Sequence, residues 1–129
     1  MRLDLGKIKL EVRHRSADLA VLYIALLVGA DSGLHRHTFE RETFYILSGE
    51  LEFLLEKELI TAKAGTTVSI APNSTHRFCN KGSETASALL LLNPSHLVDY
   101  FIELKQLFDQ QAARSELERL NQKFGLEFF

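Results

Sequence analysis

Tryptophan is absent from this chain of 129 residues, and cysteine and methionine occur once each. A lone thiol, Cys79, excludes an intramolecular disulfide framework, so an apolar core has to hold the fold and a reducing compartment is expected. Proline is scarce too, at two residues, which leaves no proline-rich linker. No excess of positive charge is present either: Lys plus Arg total 15 against 17 Asp plus Glu, and no basic stripe or arginine-aromatic run occurs. The electrostatic footprint of a nucleic-acid binder is therefore missing, and no DNA or RNA partner is expected. Long apolar runs are lacking too. The longest, LAVLYIALLV from Leu19 to Val28, reaches about half of the roughly 20 residues that a membrane-spanning helix needs, and it reads as a buried strand. The opening MRLDLGKIKLEV alternates instead of offering an apolar leader core, so a cytoplasmic location away from any membrane is expected.

What is present divides by periodicity near Asn93. The length suits one domain, with a β unit over residues 1–92 and a helical extension over 93–129 packed on it. Ile8, Leu10 and Val12 alternate with Lys9, Glu11 and Arg13, the pattern of a half-buried strand. Further strands are expected at Leu19–Val28, His35–Phe39, Glu42–Leu47, Glu50–Glu56, Leu59–Ala62, Thr66–Ile70, Thr75–Asn80 and Thr85–Leu92. The breaks carry turn residues, among them Asp31-Ser32-Gly33, Ser48-Gly49 and Pro72-Asn73-Ser74. Short strands in close succession, with no helices between them, argue for an all-β antiparallel sandwich or barrel.

After Asn93, Leu97, Tyr100, Phe101, Leu104, Leu107 and Phe108 follow helical spacing, with Asn93 as the expected N-cap ahead of Pro94. Ser115 and Glu118 have capping-box spacing, and Gly125 is placed to end a second short helix. These apolar stripes are read as packing against the outside of the barrel or a second subunit, with a lid over a pocket mouth as the alternative.

Polar residues on the strands carry the chemistry. His35 and His37 share a strand face while Arg36 points away. Thr38 to Arg41 can turn the chain so that Glu42 begins the next strand beside them. Two imidazoles and a carboxylate suit a divalent first-row transition metal with open positions for substrate or oxygen, and His76 can supply a fourth ligand. Phe44, Ile46 and Phe78 have inward parity near these ligands and are expected to form an apolar substrate vestibule. Glu40 is read as a turn residue. His14 and His96 are expected to be exposed, and Cys79 to be buried, inert and turned away from the site.

Taken together, these residues resemble the cupin family. Gly29, His35, His37, Glu42 and Gly49 fill every named place of its first motif, Gly-x5-His-x-His-x3,4-Glu-x6-Gly. Gly65, His76 and Asn80 match its second motif, with Ala71 at the proline place and Asn73 at the second glycine. The tail is similar to small bacterial cupins of the quercetin dioxygenase-like type. The resemblance implies a double-stranded β-helix, the jelly-roll barrel, in which His35, His37, Glu42 and His76 hold one metal ion: Fe, Mn, Ni, Cu, Co or Zn. It further implies an oxygenase in which Glu42 takes the hydroxyl proton of a small, partly apolar substrate. An isomerase or cyclase that uses no oxygen, and a binding or storage module without turnover, are the alternatives. A homodimer is expected.

Overall fold

In the strand Ala20–Leu26 every second residue is buried, Ala20, Leu22, Ile24 and Leu26 turning inward while the residues between them are half-exposed. The same alternation recurs along the chain, because successive strand side chains point to opposite faces. In the computed structural model, which describes all of Met1–Phe129, it produces two facing sheets with their apolar sides together.

The strands are β1 Arg2–Leu5, β2 Ile8–Arg15, β3 Ala20–Leu26, β4 His35–His37, β5 Arg41–Ser48, β6 Glu50–Leu55, β7 Glu58–Lys63, β8 Thr67–Ile70, β9 His76–Cys79 and β10 Ala86–Asn93. The helices α1 Leu97–Asp109 and α2 Arg114–Lys123 follow, and β11 Leu126–Phe128 ends the chain. One sheet runs β1-β2-β3-β10-β5-β8 and the other β11-β4-β9-β6-β7, with every strand pairing antiparallel. This is the jelly-roll arrangement. Its core gathers Leu22, Ile24, Phe44, Phe53, Leu90 and Leu92, each 1% exposed or less. Burying a side chain of this size stabilises by about 1.5–3 kcal/mol.

Two turns depend on glycine. Gly49 joins β5 to β6 with φ +71°, and a Cβ there would lie 2.9 Å from the Ala86 backbone. Gly125, at φ +72°, stops α2 and turns the chain into β11.

Both helix starts differ from the sequence expectation. Asn93 is not an N-cap: it closes β10, paired with Arg41, and α1 begins at Leu97, because the ladder with β5 holds the backbone extended that far. Ser115 lies inside α2, whose cap is the extended residue Ala113. There Arg114 pairs with Glu118 one turn on, and the Ser–Glu box is not used. The strands β1 and β11 lie outside the segments whose local pattern predicts a strand. β11 lays the last residues of the chain antiparallel to β4, the strand that carries His35 and His37.

The extension is tied on at several points. Arg15 on β2 donates to both Asp99 carboxylate oxygens, at 2.9 and 2.8 Å. Lys123 reaches Glu103 at 2.8 Å, joining α2 to α1.

Candidate metal centre and its cavity

The centre is assembled by register. β4 has only His35, Arg36 and His37, and its two histidines are buried while the arginine is half-exposed. Directly across the ladder, His35 faces His76 on β9, where His76 and Phe78 point inward and Arg77 outward. Glu42 enters from the other sheet. It is the second residue of β5, on the same buried face as Phe44 and Ile46, opposite Leu92 and Ile70. One side-chain donor from each of His35, His37, Glu42 and His76 lies within 4.8 Å of the others, and all four residues are buried. Donors around a single ion at about 2.1 Å would stand roughly 3–4 Å apart, so the grouping has the right scale.

Hydrogen bonding orients the rings. Nδ1–H of His35 donates to the Gly33 carbonyl and Nδ1–H of His76 to the Ser74 carbonyl, each at 2.8 Å. A carbonyl can only accept, so in the neutral ring each Nε2 carries the lone pair. Nε2 of His76 is buried without a hydrogen-bond partner, 3.4 Å from Glu42 Oε1. An orphaned donor atom beside a carboxylate and two further imidazoles is what a divalent transition metal would satisfy, and the residues present fit one. Burial, reinforced by the neighbouring His76, pushes His35 down to about 4, which keeps it a neutral donor. Burial alone would raise the Glu42 carboxyl. The hydrogen bond from His37, at 2.5 Å, and the His76 imidazole close beside the carboxylate outweigh it and hold the group well below the usual carboxylate range.

Beside the four donors lies a cavity of about 400 Å³. His35, His37, Glu42 and Phe78 reach it from the barrel. Leu5, Ile8, Leu10, Ile24 and Leu90 come from the β1-β2-β3-β10 side. Apart from Asp31 and Ser32, the rest of its wall is the extension: Leu97, Tyr100, Phe101, Leu104 and Phe108 from α1, Leu117 and Asn121 from α2, and Leu126 and Phe128 from β11. No lysine or arginine lines it, and Asp31 is the one further acid. The Tyr100 hydroxyl donates to Asn121 Oδ1 at 2.7 Å, a polar pair in an otherwise apolar wall.

Several expectations change here. Of the three vestibule residues, Phe78 lines the cavity, but Phe44 and Ile46 do not. They are fully buried beneath the site, Phe44 packed on Phe53 and Phe78, because the β5 positions past Glu42 run down into the core. The helical stripe does not only coat the outside, since its residues form the cavity wall. Glu40 is a turn residue between β4 and β5, yet it is wholly buried with an oxygen 3.5 Å from His37 Nδ1. Its spacing of two from Glu42, like that of His35 from His37, is the signal that could have drawn attention to it. His14 and His96 are exposed, and Cys79 is buried with its thiol pushed up by that burial. Asn80 of the second motif is structural. Its amide donates to the Leu26 and Glu84 carbonyls and its oxygen accepts from Gly82. Asn73 takes φ +67°, the left-handed position that asparagine tolerates in glycine's place.

A family model described as a cupin domain matches residues 22–92. Polyketide synthase CurC from Streptomyces cyaneus is 31% identical over 64% of this chain and 62% of its own length. The chain thus spans 62% and 55% of the two curated relatives it matches. Among solved structures, KdgF from Halomonas sp. superposes with a TM-score of 0.68 at 19% identity, covering 74% of this chain and 88% of that one. A sugar phosphate isomerase of the cupin superfamily from Silicibacter pomeroyi reaches 0.62 at 18% identity, over 69% and 60%. At these identities the structural likeness speaks for the fold. No helix is long and apolar enough to cross a membrane.

Proposed function

The chain belongs to the cupin family, and from that premise we propose that it is a metal-dependent oxygenase acting on a small, largely apolar, hydroxylated molecule. The observation that carries the reading is the convergence of three imidazoles and one carboxylate beside a cavity whose remaining wall is largely apolar and free of cationic side chains. His35, His37, Glu42 and His76 would hold the ion. When bound, a divalent transition metal supplies a Lewis acid for a substrate oxygen and an open position for dioxygen.

The protein's own groups do the rest. The apolar wall excludes water and seats the body of the substrate, which leaves its oxygen-bearing end to face the donors. Glu42 is the proton acceptor for a substrate hydroxyl at that end. Asn121 accepts from Tyr100, and its amide N–H groups are available to a second polar group of the ligand. A phosphorylated sugar, the substrate class named for the isomerase from Silicibacter pomeroyi, would find no lysine or arginine in this cavity. An extended, partly aromatic molecule suits it better, and the likeness to a protein named polyketide synthase CurC supports that choice.

The second reading is an isomerase or cyclase at the same centre, which would share the donors and the proton acceptor and consume no oxygen. Metal-loaded protein is given a flavonol or a polycyclic hydroxyquinone anaerobically, and oxygen is then admitted. Uptake of oxygen with product formation, lost in Glu42→Gln, is the expected result. Conversion that proceeds equally without oxygen favours the second reading, and a ligand recovered unchanged makes the protein a binding module. We also propose a homodimer, which a light-scattering mass of 14.6 kDa would contradict.

A further inference from the structure

We propose that Glu40 is a positioning residue of the metal centre, an anion that fixes and strengthens His37 as a ligand through the ring nitrogen remote from Glu42. This rests on the reading that His35, His37, Glu42 and His76 bind one ion. Glu40 is 0% exposed, and neither of its carboxylate oxygens has a hydrogen-bond partner. A buried carboxylate with no donor is costly, and such groups persist where a cation or a functional neighbour compensates them. Its ion-pair neighbour is His37, with Nδ1 to Oε2 at 3.5 Å, and no lysine or arginine forms an ion pair with it. Nδ1 of His37 is itself buried without a hydrogen bond.

The three imidazoles are therefore not held alike. His35 and His76 each give Nδ1–H to a neutral backbone carbonyl, whereas Nδ1 of His37 meets a carboxylate. Nε2 of His37 lies on the other side of its ring, 2.5 Å from Glu42 Oε1. Once that nitrogen's lone pair is committed to an ion, the ring proton must sit on Nδ1, where Glu40 is waiting to accept it. A carboxylate acceptor fixes the tautomer and makes the imidazole a stronger donor than a carbonyl does. The backbone supports this placement, since Asn73 N–H donates to the His37 carbonyl at 2.8 Å. Glu40 is not itself a ligand, because it faces the opposite ring edge and lies outside the convergent set.

The test uses Co(II) as the probe on the full chain, with affinity measured by competition against a chromophoric chelator and the d–d spectrum recorded. Wild type should bind one equivalent. Glu40→Gln, the same shape without the charge, should bind about 10–100-fold more weakly, with shifted d–d bands and an unchanged or higher melting temperature without metal. Glu40→Asp, which keeps the charge, should recover part of the affinity. Unchanged affinity and spectrum in Glu40→Gln would overturn the proposal, as would an affinity loss matched by an equal fall in metal-free stability. If Glu40→Gln does not fold, the Zn(II)-loaded wild type decides by NMR: a proton on His37 Nδ1 with a far-downfield shift is expected, and its absence refutes the role. Failure of the wild type to bind Co(II) would remove the metal centre itself, an outcome distinct from a silent Glu40.

Discussion

The two ends of the cavity are built by different means. At one end four ionisable or metal-ligating side chains, from β4, β5 and β9, are fixed by strand register, with His35 opposite His76 and Glu42 between Leu92 and Ile70. At the other, Tyr100, Phe101 and Leu104 of α1 and Leu117 of α2 contribute shape and apolar surface with no charge. The contrast separates two tasks. A barrel holds donor atoms to a scale of a few ångströms because two sheets constrain them, whereas a helical wall can change its side chains without disturbing that geometry. On the proposed reading, reaction type would belong to the strands and substrate choice to the extension.

The largest effect expected is at the ligand end. His76→Ala should weaken metal binding by more than about 100-fold, beyond the range for groups that only orient a ligand, and calorimetric titration of the metal-free protein checks it. Next comes Glu42→Gln, which should cost turnover about 10²–10⁴-fold, the span of general acid–base catalysis, in a steady-state assay of whichever substrate is converted. Leu104→Ala should act in the opposite manner, raising KM about 10–200-fold while metal affinity stays at the wild-type value. A loss of metal binding in this variant would erase the division between the two ends.

A smaller effect separates the ends by pH. Burial and His76 push His35 down to about 4 from an ordinary 6.5. The unfolded chain therefore takes up a proton that the folded metal-free protein resists. Stability supplied by neutral His35 is complete above pH 6.5 and is lost as the pH falls toward 4, by at most about 3 kcal/mol. Melting curves of metal-free His35→Gln should show a shallower decline across that window, and an identical decline would contradict the assignment. Smallest is Asn121→Leu, expected to weaken ligands bearing a second polar group by about two- to tenfold, on the scale of one hydrogen bond. Ligands lacking that group should bind as before.

How much of this the sequence discloses follows from the periods involved. Strand alternation places His35, His37 and Glu42 on inward faces from spacing alone, and the same rule turns Arg36 and Arg77 outward. Depth along a strand has no such marker. Phe44 and Ile46 share the parity of Glu42, but their position beneath the cavity depends on how β5 crosses the barrel. A helical stripe states that α1 has an apolar side and is silent on whether that side meets a sheet or a cavity. The short β11 owes its strand state to a partner remote in sequence, pairing Leu126 with His37, so local pattern could not reveal it. Glu40 lies outside the motif spacing and reads as a turn residue, and nothing local in the sequence states that this turn folds inward.

The most direct measurement is the metal content and position in protein purified without an affinity tag, by elemental analysis with anomalous diffraction at the edge of the metal found. One ion per chain, bound by His35, His37, Glu42 and His76, is the result expected. A protein that takes up no stoichiometric metal even after incubation with each candidate divalent ion, or that binds one elsewhere, would contradict the account.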